Sequence, residues 1–129
     1  MTIGLATWGL FVAWLLHDIE ELVTMPRWAS RNGARLRGRF PRVPERVWRA
    51  LDYPPAQVYL GVGLVGVVML AAAWDGARTG GTSAFYLIVL AAFGLHGLVH
   101  LGQSALVRGY TPGLWTAPVI VLPFTVWAW

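Results

Sequence analysis

The chain reads as an all-α polytopic membrane protein, a bundle of four transmembrane helices forming a single domain over residues 1–129. Three observations predict this. Of 129 residues, 57% are hydrophobic and only 12% are charged, whereas soluble domains carry roughly 25% charged residues. The apolar residues gather in four runs, about 3–23, 56–74, 83–107 and 112–129, each near the roughly 20 residues that cross a hydrocarbon core. All ten basic residues are arginine, and eight of them lie in the one long polar stretch, 24–55.

The first run has no basic residue ahead of it and leads into acidic residues rather than a small-residue cleavage site. It therefore reads as a span and not as a removed signal peptide. The stretch 24–55 is expected to be an Arg-rich loop between helices 1 and 2. The positive-inside rule puts it in the cytoplasm, with both termini outside an inner membrane. Arg78 then falls in the outer turn and Arg108 in an inner one. Arg27, Arg31 and Arg108 are candidates for contact with lipid headgroups or an anionic substrate, beside the plainer role of fixing topology. Within the loop, 44–51 suits a short interfacial helix that turns Val47, Trp48 and Leu51 to the membrane.

The second run is uncharged. Its Gly61-x-Gly63-x-x-Gly66 matches a dinucleotide-binding string, but it lies inside a span and follows no strand, so close helix packing explains it better. Asp75-Gly76 and Gly80-Gly81-Thr82-Ser83 break the chain before the third run. The fourth run is short. Thr111 and Pro112 look like the N-cap and first residue of its helix, and Pro118 and Pro123 should bend it. Trp28, Trp48, Trp74, Trp115 and Trp129 fall near run ends, as an interfacial belt would. The absence of cysteine excludes disulfides, thiolate ligands and a cysteine nucleophile. Nothing beyond the charge supports nucleic-acid binding.

The chemistry gathers in His17-Asp18-Ile19-Glu20-Glu21. At 3.6 residues per turn, His17, Glu20 and Glu21 share a face, and Asp18 points elsewhere. His96 and His100 stand at i, i+4 in the third run, a spacing that lets two imidazoles hold one ion. Gln103 is three residues on and could orient a ligand or a water. His17 lies roughly 9 Å and His100 roughly 10 Å from the cytoplasmic ends of their spans, so the two polar groups reach the same depth. Charged groups at that depth are costly and mark an ion, a proton path, or both.

Three imidazoles and two carboxylates without sulfur suit zinc or non-haem iron, as one ion or two. In a zinc enzyme, His17, His100, one glutamate and His96, as a ligand or just outside, would surround the ion. The other glutamate would act as general base on a hydrophobic or lipid-like substrate. In an iron enzyme the same ligands would leave positions open for oxygen chemistry. Two other classes compete. A proton- or ion-coupled transporter would use the same groups as a relay, but four short spans are few for a transporter unless the chain forms a homo-oligomer. A structural protein would use them to pin the bundle, and His17→Ala would then unfold it.

His17-x-x-Glu20-Glu21 in a first span, followed by His100, Tyr110-Thr111-Pro112-Gly113-Leu114, Thr116 and Pro123, resembles the HXXEE-domain family of small bacterial membrane proteins. The resemblance implies that His17, Glu20, Glu21 and His100 are the functional set, with Tyr110 in support. It implies no reaction.

Overall fold

The computed structural model describes residues 2–129, and its only regular elements are helical. In order they are α1 (Thr2–Arg39), α2 (Glu45–Ala50), α3 (Pro55–Thr79), α4 (Ala84–Val107) and a π-helical segment, Ala117–Val121, that runs straight into α5 (Leu122–Ala128). Helices α1, α3 and α4 are each long and apolar enough to cross a membrane. The fourth apolar run forms a shorter unit, Ala117–Ala128. At 1.5 Å per residue it is about 18 Å long, against a hydrocarbon core of about 30 Å. The four runs therefore give three helices of spanning length and one of roughly half that length.

The expected loop 24–55 is helical over its first half, because α1 continues to Arg39 with Pro26 inside it. Hydropathy falls after residue 23, but the helix continues through Pro26, Gly33 and Gly38, carried by five arginines, two alanines and Leu36, which are good helix formers. The Thr24 hydroxyl donates to the Glu20 carbonyl at 2.7 Å just before the proline. The polar half of α1 is also tied to the far end of α4. Trp28 Nε1 donates to the Tyr110 carbonyl at 2.5 Å, and Arg35 donates to the Val107 carbonyl at 3.3 Å. The helix stops where Phe40 precedes Pro41, a position that disfavours helical backbone. The expected short helix in 44–51 is present as α2. Arg37 pairs with Glu45 at 2.6 Å on an exposed surface, where such pairs contribute about 1 kcal/mol or less.

A second correction concerns 111–116. Pro112 does not open a helix. Leu114 N–H donates to the Thr111 carbonyl at 3.0 Å, with Pro112 and Gly113 between them and Gly113 at φ 85°. That is the signature of a type II turn, which takes proline first and a positive-φ glycine second. The expected proline distortion appears further on as the π segment. There Leu122 N–H reaches back five residues to the Ala117 carbonyl.

Helix α1 packs chiefly on α3, while α4 packs on the π segment and α5. Leu10, Trp14, Ala72, Tyr86, Leu90, Phe93 and Val121 form the buried core. Large apolar side chains such as Val12, Leu16, Val67 and Ile88 remain exposed. Water-soluble surfaces avoid large apolar patches, and such a surface is consistent with a membrane location. Of the three glycines read as a packing motif, only Gly66 approaches a neighbour. A Cβ there would meet Trp14 at 2.8 Å, whereas Gly61 and Gly63 face open space.

Candidate functional site

The first polar turn of α1 and the two histidines of α4 meet inside the bundle. His17 Nε2 lies 3.0 Å from His96 Nε2 and 3.2 Å from His100 Nε2, and the last two are 2.9 Å apart. Three Nε2 atoms thus form a near-equilateral triangle. Glu21 stands beside it, with one carboxylate oxygen 3.3 Å from His100 Nε2 and the other 3.9 Å from His17 Nε2. One ligand atom from each of His17, Glu21, His96 and His100 lies within 4.8 Å of the other three. His17 and His100 are buried, while His96 is exposed on one side.

No placement of protons satisfies that triangle. Each edge needs one N–H and one lone pair, and each Nε2 offers only one or the other along its ring axis. Whatever the assignment, at least one edge sets two lone pairs or two N–H groups face to face. A cation shared by three lone pairs removes the conflict. Imidazole nitrogens bound to one tetrahedral ion at ~2.0–2.1 Å stand about 3.3 Å apart, close to the observed edges.

The spacing argument brought Glu20 to the same point, and here the structure differs. The Glu20 carboxylate turns toward the 110–116 segment and is filled there. It accepts from Tyr110 Oη at 2.7 Å, Trp115 N–H at 3.3 Å, Thr116 N–H at 2.8 Å and Thr116 Oγ1 at 2.6 Å. Consecutive helical residues project about 100° apart, so Glu20 and Glu21 serve opposite neighbours. Glu20 nevertheless acts on the triangle through Thr116. The single hydroxyl proton of Thr116 goes to Glu20, so its oxygen accepts from His17 Nδ1–H at 2.7 Å. His17 is thereby held with the proton on Nδ1 and a bare Nε2 aimed at the other imidazoles. Carboxylate–histidine pairs around metals fix the tautomer in the same way.

The type II turn closes the site from the other side. A Cβ on Gly113 would stand 2.6 Å from His100 Nδ1 and 2.9 Å from His17 Cε1. Glycine is therefore required there twice, by its φ and by the rings it covers. His100 Nδ1 is buried without a hydrogen-bond partner among the described residues. Thr111, read as a helix cap, instead shares a 2.5 Å hydrogen bond with Ser104 Oγ on α4 and so pins the turn to that helix.

The remaining candidates fall around this centre. Tyr110 supports Glu20 as described. It lies in the turn beyond α4, where burial pushes its phenol above the usual range and keeps it a donor. Gln103 is exposed and lines a cavity of about 450 Å³ together with Glu21, His96 and His100. Arg27, Arg31 and Arg108 are exposed and line none of the cavities that reach the cluster. Arg108 ends α4 in a left-handed conformation, φ 52°. Asp18 does point away from the triangle, but into the protein. It is buried, and it lines a second cavity of about 480 Å³ between α1, α3 and α4.

Sequence reasoning gave no role to Thr116 or Gly113 beyond family resemblance. Both act on His17 across about a hundred residues of chain, where no helical spacing reports on them. Proline and glycine at consecutive positions, 112 and 113, were the local signal for the turn. No curated protein and no solved structure matches the chain. A family described as "Protein of unknown function with HXXEE motif" matches residues 8–128, and its motif is His17-x-x-Glu20-Glu21, the turn from which both the imidazole cluster and its supporting carboxylate arise. The chain belongs to the HXXEE family.

Proposed function

We propose that the chain is a metal-dependent membrane enzyme acting on a hydrophobic or lipid-like substrate. The observation that carries this reading is the triangle of three Nε2 atoms at 2.9–3.2 Å, which hydrogen bonding cannot satisfy. His17, His96 and His100 would hold zinc or iron, a donor set that suits either. Bound there, the ion would supply Lewis acidity and lower the pKa of water toward ~7. Glu21 faces the triangle without any strong donor of its own, so it is the group placed to take and return a proton at its carboxylate oxygens. Glu20 is saturated by donors and keeps His17 in its binding tautomer through Thr116. The two cavities beside the cluster would admit the substrate. By the positive-inside rule we place the arginine-rich half of α1 and α2 in the cytoplasm of a bacterial cell, both termini outside, and Arg27, Arg31 and Arg108 at lipid headgroups.

The test is elemental analysis of protein purified in detergent without added metal. About one zinc or iron per chain is expected. His17→Ala and His100→Ala should lower it to below about a tenth while eluting at the size of the native protein. A native chain that arrives without either metal, and takes up neither when offered, would refute the proposal.

One feature favours a second reading. Glu21 and His96 line both cavities, so they could pass a proton between them. In that case vesicles reconstituted with the protein should dissipate a pH gradient, and Glu21→Gln should stop them.

A further inference from the structure

The second cavity holds a carboxylate that neither the cluster nor its support uses. Asp18 is only 7% exposed, and it has no hydrogen-bond or ion-pair partner among the described residues. A bare carboxylate in an apolar surrounding is costly unless something pairs with it.

The cavity is a groove bounded by three helices. Trp14, Asp18 and Glu21 lie on one face of α1 at helical spacing. Phe93 and His96 face them from α4, and Val65 belongs to the wall that α3 supplies. The polar members, Asp18, Glu21 and His96, sit toward the C-terminal end of the α1 and α4 stripes. The wall beyond them is apolar. Val65 is 46% exposed, so the groove opens sideways onto the lipid-facing surface. Its volume of about 480 Å³ falls within the usual range of ligand pockets.

We infer that this groove binds a membrane-dissolved amphiphile with one apolar chain and a head group that donates hydrogen bonds, a hydroxyl or an amine, which Asp18 receives. The chain lies along Trp14 and Val65, and the head stops at Asp18 beside Glu21 and His96. The lateral opening explains why the ligand arrives from the bilayer. The unpartnered carboxylate explains why its head must donate, since an anionic head would face two carboxylates. This names the substrate class of the proposed enzyme. It rests on that reading only for the chemistry at the groove's polar end.

The experiment uses the full chain in nanodiscs and three amphiphiles of one chain length, each brominated at the chain terminus: an alcohol, an amine and a carboxylate. Bromine quenches tryptophan, and Trp14 lines the groove. Saturable quenching by the alcohol, the amine or both is expected, with the carboxylate at least about tenfold weaker, as for loss of a hydrogen bond to a charged group. The alcohol binding as well as the amine assigns a neutral donor, and the amine alone assigns a cation. Asp18→Leu should weaken the preferred ligand about tenfold and abolish the preference. Val65→Phe, on the opposite wall and outside the cluster, should weaken all three. Equal binding of the carboxylate, or unchanged binding to Asp18→Leu that elutes at native size, overturns the inference. Metal content measured on the same samples separates the two ideas. Asp18-dependent binding without metal leaves the groove standing and removes the metal enzyme. Metal without head-group preference does the reverse.

Discussion

Glu20 and Glu21 are adjacent on α1, and their surroundings are opposite. Glu20 accepts four hydrogen bonds, all from the 110–116 segment. Glu21 accepts no strong one and faces two imidazole nitrogens at 3.3 and 3.9 Å. A rotation of about 100° along the helix separates a carboxylate filled by donors from one set beside the imidazoles. The buried cost of the first is offset by its donors, whereas the second has only the two imidazole nitrogens beside it.

The largest expected effect breaks this comparison directly. Glu20→Ala leaves two backbone N–H groups and two hydroxyls without their acceptor, and it releases the turn that covers His17 and His100. It should cost about 3 kcal/mol, several degrees in melting temperature, since hydrogen bonds to charged groups contribute about 1.5–3 kcal/mol. Glu21→Ala, in protein stripped of metal, should cost less than about 1 kcal/mol. Thermal unfolding of both variants in one detergent decides it. A Glu21 variant that melts below the Glu20 variant would reverse the assignment.

A smaller effect sharpens it. Among the described residues, Thr116 alone connects the filled carboxylate to the triangle, by donating to Glu20 and accepting from His17 Nδ1. Thr116→Val keeps the shape and removes the hydroxyl. If the hydroxyl's task is to hold the tautomer, metal affinity should fall about 10–100-fold, the usual consequence of losing such an outer partner. Stability should change less than in Glu20→Ala, because the Thr116 backbone N–H still reaches the carboxylate. Thr116→Ser should restore affinity. Competition with a chelator of known affinity measures this. Loss in the serine variant with none in the valine variant would show that the methyl group's packing matters and the hydroxyl does not.

Much of this centre was legible in the sequence. The spacing of His17 and Glu21 on α1, the i, i+4 pair on α4 and the common depth of the two groups were enough to bring His17 and His100 together. Glu20 was misplaced because helical spacing says which face a residue occupies but not what lies opposite. Its partners are in a segment ninety or more residues away. The helical course of 24–39 was missed because hydropathy was read as the boundary, whereas α1 accommodates Pro26 and continues to Phe40-Pro41. Asp18 was correctly turned away from the triangle. Its groove was invisible, because it forms only when α3 and α4 stand beside α1.

The smallest expected effect separates the groove side of α1 from everything around it. Gly63 and Gly66 lie one turn apart on α3, and only one of them has a neighbour. A Cβ on Gly66 would meet the Trp14 ring at 2.8 Å, while Gly63 faces open space. Trp14 is buried, stands one turn before Asp18 and lines the same groove. Gly66→Ala must therefore push the indole aside, at a cost of about 1–2 kcal/mol for an overpacked contact. The displaced ring narrows the groove that leads to Glu21. Gly63→Ala meets nothing and replaces a poor helix former with the best one, which should stabilise the protein by up to about 1 kcal/mol. The two melting temperatures should therefore move in opposite directions. Gly66→Ala should also bind the chain-brominated amphiphile more weakly than Gly63→Ala does, with the Glu20 side of the helix undisturbed in both. If both variants melt alike, Trp14 has room to yield, and the groove is wider and more forgiving than its packing indicates.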